Sequence, residues 1–293
     1  MTEHIIGKGS KISVERIFNQ SDFNRFAEIS KDDNPIHVDP EFSAKTKFGK
    51  TVAHGMFLYA NILKIMSFFL GKIPFFQLSQ DMMFPNPIYA NESIRIELKI
   101  TNEIEVDIYE VETLITKSNN ELGLQGRSII QILKPTKKIQ LKTLISNENK
   151  DKSSETEFKN IKLHQKDVIR ENLEYSNLIA YLDLLKDSNR FYKNPNRCHT
   201  FGFENILIPG ALLGSIISFQ LGTRLPGKGT NWLKCSLKFL QPIFINQKIT
   251  SELEVIRIRS QKQLINLKAT CYNEENKVVA IAEILVLVSD LIG

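Results

Sequence analysis

The feature that most constrains the fold is an internal repeat. When the sequence is aligned with itself at an offset of 155 residues, positions 21–98 match positions 176–253 without a gap, and 18 of the 78 aligned pairs are identical. Ordinary residue usage gives about 5% identity by chance. Many of the identical pairs are residues that fix turns and element ends, and they include Asp32/Asp187, Asn34/Asn189, Gly55/Gly210, Phe84/Phe239, Pro87/Pro242 and Asn91/Asn246. The sequence therefore predicts a tandem duplication.

The stretch between the two copies differs from both in composition. Residues 136–170 hold nine Lys or Arg against five Asp or Glu, which is most of the net charge of +5. We therefore predict a first domain over 1–135, a polar, Lys-rich linker over 136–165 and a second domain over 166–293. The rest of the chain is nearly neutral and has no basic face interleaved with aromatic residues, so nucleic acid is not an expected partner.

Membrane and disulfide-rich classes are excluded. The longest apolar stretches are shorter than the roughly 18 residues that a membrane span needs, and the start, MTEHIIGKGS, lacks the pattern of a signal peptide. A cytoplasmic protein without a membrane span is expected. The three cysteines, Cys198, Cys235 and Cys271, form no Cys-x-x-Cys pair, which predicts reduced packing residues rather than disulfides or a thiolate metal site.

Each copy shows the same order of elements. A strand over 12–18 and a helix capped by Ser21 precede an irregular stretch from Lys31 to Thr51. The helix over 55–70 is apolar almost all round, with a polar stripe of Asn61, Lys64 and Ser67, which is typical of a buried helix. Strand patterns follow at 93–101, 106–116 and 126–133, and the second copy repeats the series with a helix at 210–225 and strands at 232–239, 249–258, 263–272 and 278–288.

An apolar helix followed by antiparallel strands is covered only if the sheet curls around it. The predicted fold class is α+β, with a long central helix wrapped by a curved antiparallel sheet, present twice.

The segment after the first helix carries the residues best suited to chemistry. A carboxyl group and an imidazole can act as a general base that activates water and as a general acid that delivers a proton, and Asp32 and His37 are candidates for these roles. Asn34-Pro35 disfavours helix and favours a turn that brings both side chains toward one water. The alternative is structural, with Asp32 as a plain cap, Asn34 as a turn former and His37 as a hydrogen-bonded histidine.

Gly55 is a candidate for stabilising negative charge on a substrate oxygen. A glycine at the start of a buried helix exposes backbone N–H groups at the positive end of the helix dipole, and its missing side chain lets a substrate approach. The repeat supports a helix start here, because Pro209 stands opposite His54 and proline is favoured in the first turn. His54 is a second candidate for contacting substrate, with a helix-start residue that transfers no proton as the alternative.

These motifs resemble a known family. KDDNPIHVD (31–39), VAHGM (52–56) and FPNP (84–87) are similar to the MaoC-like, (R)-specific enoyl-CoA hydratases and 3-hydroxyacyl-thioester dehydratases, here in a tandem, double hot-dog form. The resemblance implies a cofactor-free lyase of fatty acid metabolism that hydrates a trans-2-enoyl-CoA, or the acyl-carrier-protein thioester, to the (R)-3-hydroxyacyl product. It assigns catalysis to Asp32 and His37, and oxyanion or substrate contacts to Gly55, Asn34 and His54.

The chain departs from the family pattern at two points. Lys31 stands where a glycine usually precedes the aspartate, and Asn91-Glu92 replaces Gly-Asp. Lys31 suits either a CoA phosphate or the solvent, and the Lys-rich linker suits either CoA or an acidic carrier protein.

The second copy lacks the catalytic pattern. Arg190, Tyr192 and Pro209 replace Pro35, His37 and His54, so this copy should not run the reaction. It either packs its sheet on the first and shapes the acyl tunnel or CoA cleft, or only replaces the second subunit of a homodimer. The two copies together are expected to form a pseudo-dimer within one chain. Association of two such chains into a homodimer is a further alternative.

Two other functions and a metal site fit the sequence less well. A hot-dog thioesterase usually has an acidic residue on or beside the central helix, and 55–70 and 210–225 contain none. A non-catalytic acyl-thioester binding module would be expected to lose Asp32 and His37, and both are present. No metal is predicted, because a calcium loop opening at Asp32 would need an oxygen ligand at Ile36 and a glycine at position 37, and zinc ligands at usable spacing are lacking.

Overall fold

The computed structural model describes residues 7–71, 73–137, 141–142, 154–187 and 189–291. The first copy of the repeat forms β1 (Lys11–Ile17), α1 (Gln20–Ser30), α2 (Pro35–Val38), α3 (Pro40–Ala44), α4 (Gly55–Phe69), β2 (Phe75–Met83), β3 (Ser93–Glu105), β4 (Ile108–Lys117) and β5 (Leu122–Ile132). The second forms β6 (Glu157–Phe158), β7 (Ile161–Lys162), β8 (Lys166–Asn172), α5 (Tyr175–Leu185), α6 (Pro195–Thr200), α7 (Gly210–Thr223), β9 (Asn231–Phe239), β10 (Lys248–Arg259), β11 (Leu264–Tyr272) and β12 (Val278–Leu287).

Ten of the strands form one antiparallel sheet with the order β1-β3-β4-β5-β2-β9-β12-β11-β10-β8. The two copies meet where β2 pairs with β9, from Ser79 opposite Lys238 to Met83 opposite Lys234. Strands β1 and β8, and helices α1 and α5, are each displaced by 155 residues at both ends, so the duplication extends beyond the segment matched in sequence. The second sheet therefore meets the first edge to edge, so that the two copies share one continuous sheet.

The central helices α4 and α7 contact each other inside the curved sheet. Eleven of the 15 residues of α4 are buried, which confirms the buried helix predicted from its apolar sequence. Its polar stripe also turns inward, since Asn61 and Ser67 are buried. Ser67 accepts a hydrogen bond from Asn189 Nδ2 at 2.7 Å, and Lys64 Nζ donates to the carbonyl of Leu185 at 2.5 Å. The stripe therefore binds the first copy to the second.

Local sequence explains where the first helix begins. Asn19, rather than the predicted Ser21, caps α1, and its side chain accepts from the amide of Asp22 while the Asp22 carboxylate accepts from the amide of Asn19. This reciprocal pair satisfies two free N–H groups at once. In the stretch predicted as irregular, two short helices begin at Pro35 and Pro40, where proline is favoured.

Much of the predicted linker, residues 138–140 and 143–153, lies outside the described residues. Its last part contains the β6–β7 ribbon, so the predicted domain limits stay a prediction. All three cysteines are free and buried, which confirms their predicted packing role. Among the described residues, no helix is both long and apolar enough to span a membrane.

Candidate functional site

Asp32 is held in a buried position just after α1. Lys31 ends this helix with a φ of 61°, and the turn directs Asp32 inward, where it is 1% exposed. The Ser218 hydroxyl of α7 donates to Asp32 Oδ2 at 2.5 Å, and the amide of Asn34 donates to Oδ1 at 3.4 Å. Burial raises the pKa of Asp32 to about 7, although both hydrogen bonds oppose the rise. The carboxyl group is therefore available in protonated form near neutral pH.

His37 lies on α2 and is also buried. Its Nδ1 lies 2.8 Å from the carbonyl oxygen of Val52. Because a carbonyl oxygen only accepts, Nδ1 carries the proton and Nε2 keeps a free lone pair in the neutral ring. Burial lowers the pKa of His37 to about 4, so the ring is neutral at pH 7.

His54 is the residue before α4, and its ring stacks on that of His37 with 3.8 Å between centroids. Its Nε2 donates to the backbone oxygen of Asp32 at 3.0 Å, while Nδ1 has no hydrogen-bond partner among the described residues. Burial, and then the neighbouring His37, lower the pKa of His54. His54 thus lies behind the other two residues and orients them, rather than forming part of the cavity wall.

Gly55 is the first residue of α4, as predicted. Gly55 lines the cavity, so the free N–H groups at the start of α4 lie beside it, and such groups attract negative charge. A side chain at this position would meet Phe84, whose Cζ would lie 2.8 Å from a Cβ. Gly210 has the same relation to Phe239 in the second copy. The glycine is therefore required by the packing of the phenylalanine, a cause the sequence analysis did not foresee.

Asn34 connects the two copies. Its Oδ1 accepts from the amide of Gly229 and its Nδ2 donates to the carbonyl of Thr230, both at 3.0 Å. The turn-forming role expected for Asn34 is thus joined by a long-range one, in which the side chain fixes the Asp32 segment against the loop after α7.

A cavity of 340 Å³ lies between the two copies. The first copy lines it with Asp32, His37 and Gly55, and the second with Ser218 and Gly222. Much of the remaining wall is apolar and includes Ile36, Leu58, Phe84, Ile88, Leu221 and Leu233. The site thus combines a polar centre with apolar walls, as small-molecule sites commonly do.

The contributions of α7 to the site were not predicted from the sequence. Ser218 and Gly222 are four residues apart, so they share one face of the helix, and a Cβ on Gly222 would overlap Asp32 Oδ1. Ser218 and Gly222, on one face of a largely apolar helix, were the available signal. The function of these two residues becomes clear only from their contact with Asp32 of the first copy.

The equivalent region of the second copy is nearly closed. The cavity beside Tyr192, Pro209 and Gly210 measures only 40 Å³. Tyr192 replaces the imidazole of His37, and burial raises the pKa of its hydroxyl. Asp187 is only half-buried, unlike Asp32.

Asp32, His37 and His54 each offer one donor atom within 4.8 Å of the others. Spacing along the chain could not reveal this group of metal-binding residue types. Both imidazoles, however, already use one nitrogen in a hydrogen bond to a backbone carbonyl. The predicted absence of a metal stays a prediction.

Comparison with known proteins identifies the family. The family described as MaoC like domain matches residues 2–121. An (R)-specific enoyl-CoA hydratase of Rhodospirillum rubrum is 30% identical over 131 residues, covering 45% of this chain and 90% of that protein. The chain belongs to the MaoC-like family. A mitochondrial 3-hydroxyacyl-[acyl-carrier-protein] dehydratase of Arabidopsis thaliana is 32% identical over 120 residues, which is 39% of this MaoC-like chain and 69% of the plant protein.

The MaoC-like chain is similar over nearly its whole length to a conserved hypothetical protein of Mycobacterium tuberculosis described as a double hotdog fold. The TM-score is 0.72 with 9% identity, and 96% of each chain is covered. The fold is therefore a tandem double hot-dog, and the predicted α+β class is confirmed.

The backbone is left-handed at two of the positions where this chain departs from the pattern expected of the family. Lys31 and Asn91 have φ values of 61° and 64°, and their counterparts Lys186 and Asn246 have 53° and 64°. A left-handed backbone favours glycine, so the family glycines mark a backbone conformation that this chain retains without them.

Proposed function

We propose that the protein catalyses the reversible hydration of a trans-2-enoyl thioester to the (R)-3-hydroxyacyl thioester. The observation that carries the proposal is the pairing of a buried carboxyl group, Asp32, with a neutral imidazole, His37, on the wall of one cavity that also receives the start of α4. The relatives named as hydratase and dehydratase support the reaction class. The (R) configuration is taken from the name of the bacterial relative.

The protonation states of the two residues assign His37 as the general base and Asp32 as the general acid. His37 Nε2, with its free lone pair, takes a proton from water as the water oxygen bonds to the β-carbon. Asp32, protonated, gives its proton to the α-carbon. The proton held by His37 then returns to Asp32 through the next water, so the pair ends as it began. Dehydration follows the same steps in reverse.

The developing negative charge on the thioester oxygen is assigned to the start of α4. The Gly55 amide has no acceptor among the described residues, and preorganised N–H donors stabilise an oxyanion strongly. Ser218 and Asn34 hold Asp32 and its segment in place, and His54 positions His37. The second copy therefore acts as a wall and a support of the site, and the predicted lack of a site of its own is supported by its small cavity.

The apolar walls suit an acyl chain, and Lys47, which also lines the cavity, suits a phosphate of CoA or of a carrier-bound pantetheine. A cytoplasmic location and a further homodimer remain predictions from the sequence.

The test is turnover of trans-2-enoyl-CoA esters of short, medium and long chain, with chiral analysis of the product. We expect (R)-3-hydroxyacyl-CoA, and we expect Asp32→Asn and His37→Ala each to lower kcat by about 10²- to 10⁴-fold, the usual share of general acid or base catalysis. Asp187→Asn is the matched control, because it removes the equivalent carboxylate of the second copy, and it should retain activity.

Unchanged turnover in both Asp32→Asn and His37→Ala would refute the assignment. Free thiol without hydration would favour a thioesterase. If no CoA ester reacts, the same esters on an acyl carrier protein separate a carrier-specific dehydratase from a binding module that only retains them.

A further inference from the structure

A second hollow lies apart from the candidate active site, between β1, α4 and the turn after α5. It measures 270 Å³ and is lined by Arg16 of β1, Lys64 and Phe68 of α4, and Lys186 and Asp187 of the turn, among other residues. None of its lining residues borders the 340 Å³ cavity.

The hollow carries an excess of positive charge. It holds three cations, and of the described residues that line it Asp187 alone is acidic. Within the described part of the chain, none of the three cations has a carboxylate oxygen within 4.0 Å. Lys64 Nζ spends one of its three donors on the carbonyl of Leu185. Burial, and then Arg16 and Lys186, lower the pKa of Lys64, whereas Asp187 raises it.

The internal repeat supplies a matched comparison. At the 155-residue offset, Arg16 corresponds to Glu171, Lys64 to Phe219 and Lys186 to Lys31. There Lys31 forms an ion pair with Glu171 at 2.6 Å, and the hollow beside Phe219 has only 30 Å³.

The end of the pseudo-symmetric molecule beside Phe219 is thus nearly closed, and its lysine is paired with a carboxylate. The end beside Lys64 is open and carries an excess of positive charge. The fold does not require the cation cluster, because the same elements form the filled version.

We infer that the hollow beside Arg16, Lys64 and Lys186 binds the phosphate group of an anionic ligand. A guanidinium pairs with two phosphate oxygens at once, and the two ammonium groups add point charges, of which that of the half-buried Lys64 is screened less by salt. The Phe68 ring, which is part of a residue 67% exposed, lies on the same wall and provides an apolar surface for the part of the ligand that carries the phosphate. This site is independent of the proposed hydratase reaction.

The test is calorimetric titration and thermal unfolding of the full chain with inorganic phosphate, ADP and CoA, at ionic strength matched with sodium chloride. We expect phosphate to bind and to raise Tm. Lys64→Met should weaken its binding at least tenfold. Lys31→Gln is the matched control, since that lysine is already paired, and it should leave phosphate binding unchanged.

The three ligands distinguish the sources of the phosphate. Binding of ADP or CoA that is tighter than that of phosphate, and lost in Lys64→Met, identifies a nucleotide, whereas equal affinities identify free phosphate. The inference is overturned if phosphate does no more than sodium chloride, or if wild type and Lys64→Met bind it equally. Arg16→Gln provides the same comparison should Lys64→Met fail to fold.

Discussion

The buried carboxyl group of Asp32 makes a prediction about stability that is separate from turnover. Folding raises its pKa from 3.8 to about 7. Between these values the unfolded chain releases a proton that the native chain retains, so native stability falls as the pH rises. At 1.36 kcal/mol per pH unit, the raised pKa of Asp32 lowers the free energy of unfolding by about 4 kcal/mol at pH 8 and by about 2 kcal/mol at pH 5.

Asp32→Asn removes this cost while keeping the shape of the side chain. The amide Nδ2 can donate to Ser218 Oγ, which lies beside the replaced oxygen. We therefore expect the variant to gain stability over wild type, with a gain about 2–3 kcal/mol larger at pH 8 than at pH 5, although its activity is lost. The cost of burying the amide is the same at pH 5 and at pH 8. The prediction is therefore tested by the difference between the stability gains of the variant at the two pH values.

The assay is urea unfolding of wild type and variant at pH 5 and pH 8, with Asp187→Asn as the control. That carboxylate is half-exposed and keeps contact with water, so its replacement should change stability less. A gain from Asp32→Asn that is the same at both pH values, or larger at pH 5, would show that the carboxyl group is not held protonated by burial.

Three further predictions concern the active site. Hydration should fall below about pH 4, as His37 gains a proton, and above about pH 7, as Asp32 loses one; a kcat that instead rises through pH 7 would make the carboxylate the base. Ser218→Ala should lower kcat about tenfold, equivalent to about 1.4 kcal/mol. It should also move the alkaline limb of the pH profile to higher pH, because the Ser218 hydrogen bond lowers the pKa of Asp32 in the wild type and its removal lets that pKa rise; an unmoved limb would contradict this contact. Gly222→Ala should cost about 1–3 kcal/mol in urea unfolding and reduce kcat, since the added methyl displaces Asp32; an unaffected variant would mean that α7 is free to move away.

The sequence was sufficient for elements with local patterns. The central helices are recognisable because nearly every side chain of 55–69 is apolar, and the alternating strands because their period is two. Asp32 and His37 could be brought together in prediction because a Pro-containing turn of few residues connects them. The strand β2 was not predicted in the first copy, since Phe75–Met83 is buried on most positions and lacks alternation.

Contacts between the two copies could not be predicted in this way. The bond from Ser218 to Asp32 joins positions 186 residues apart, and the Asn34 contacts with 229 and 230 are as distant. Such pairs leave no periodic signal in one sequence. The edge-to-edge joining of the sheets through β2 and β9 likewise depends on which strand remains unpaired after each copy has folded.

The Ser218 contact also shows what fusion of two copies permits. In a symmetric dimer a single gene position must serve both subunits, so the helix residue that supports the partner's carboxylate is present twice whether or not both sites are used. Here the equivalent positions carry different residues, Leu63 in the first copy and Ser218 in the second. Leu63 packs in the core whereas Ser218 holds a buried carboxyl group, so substitutions at a position in one half can be selected without a matching change in the other.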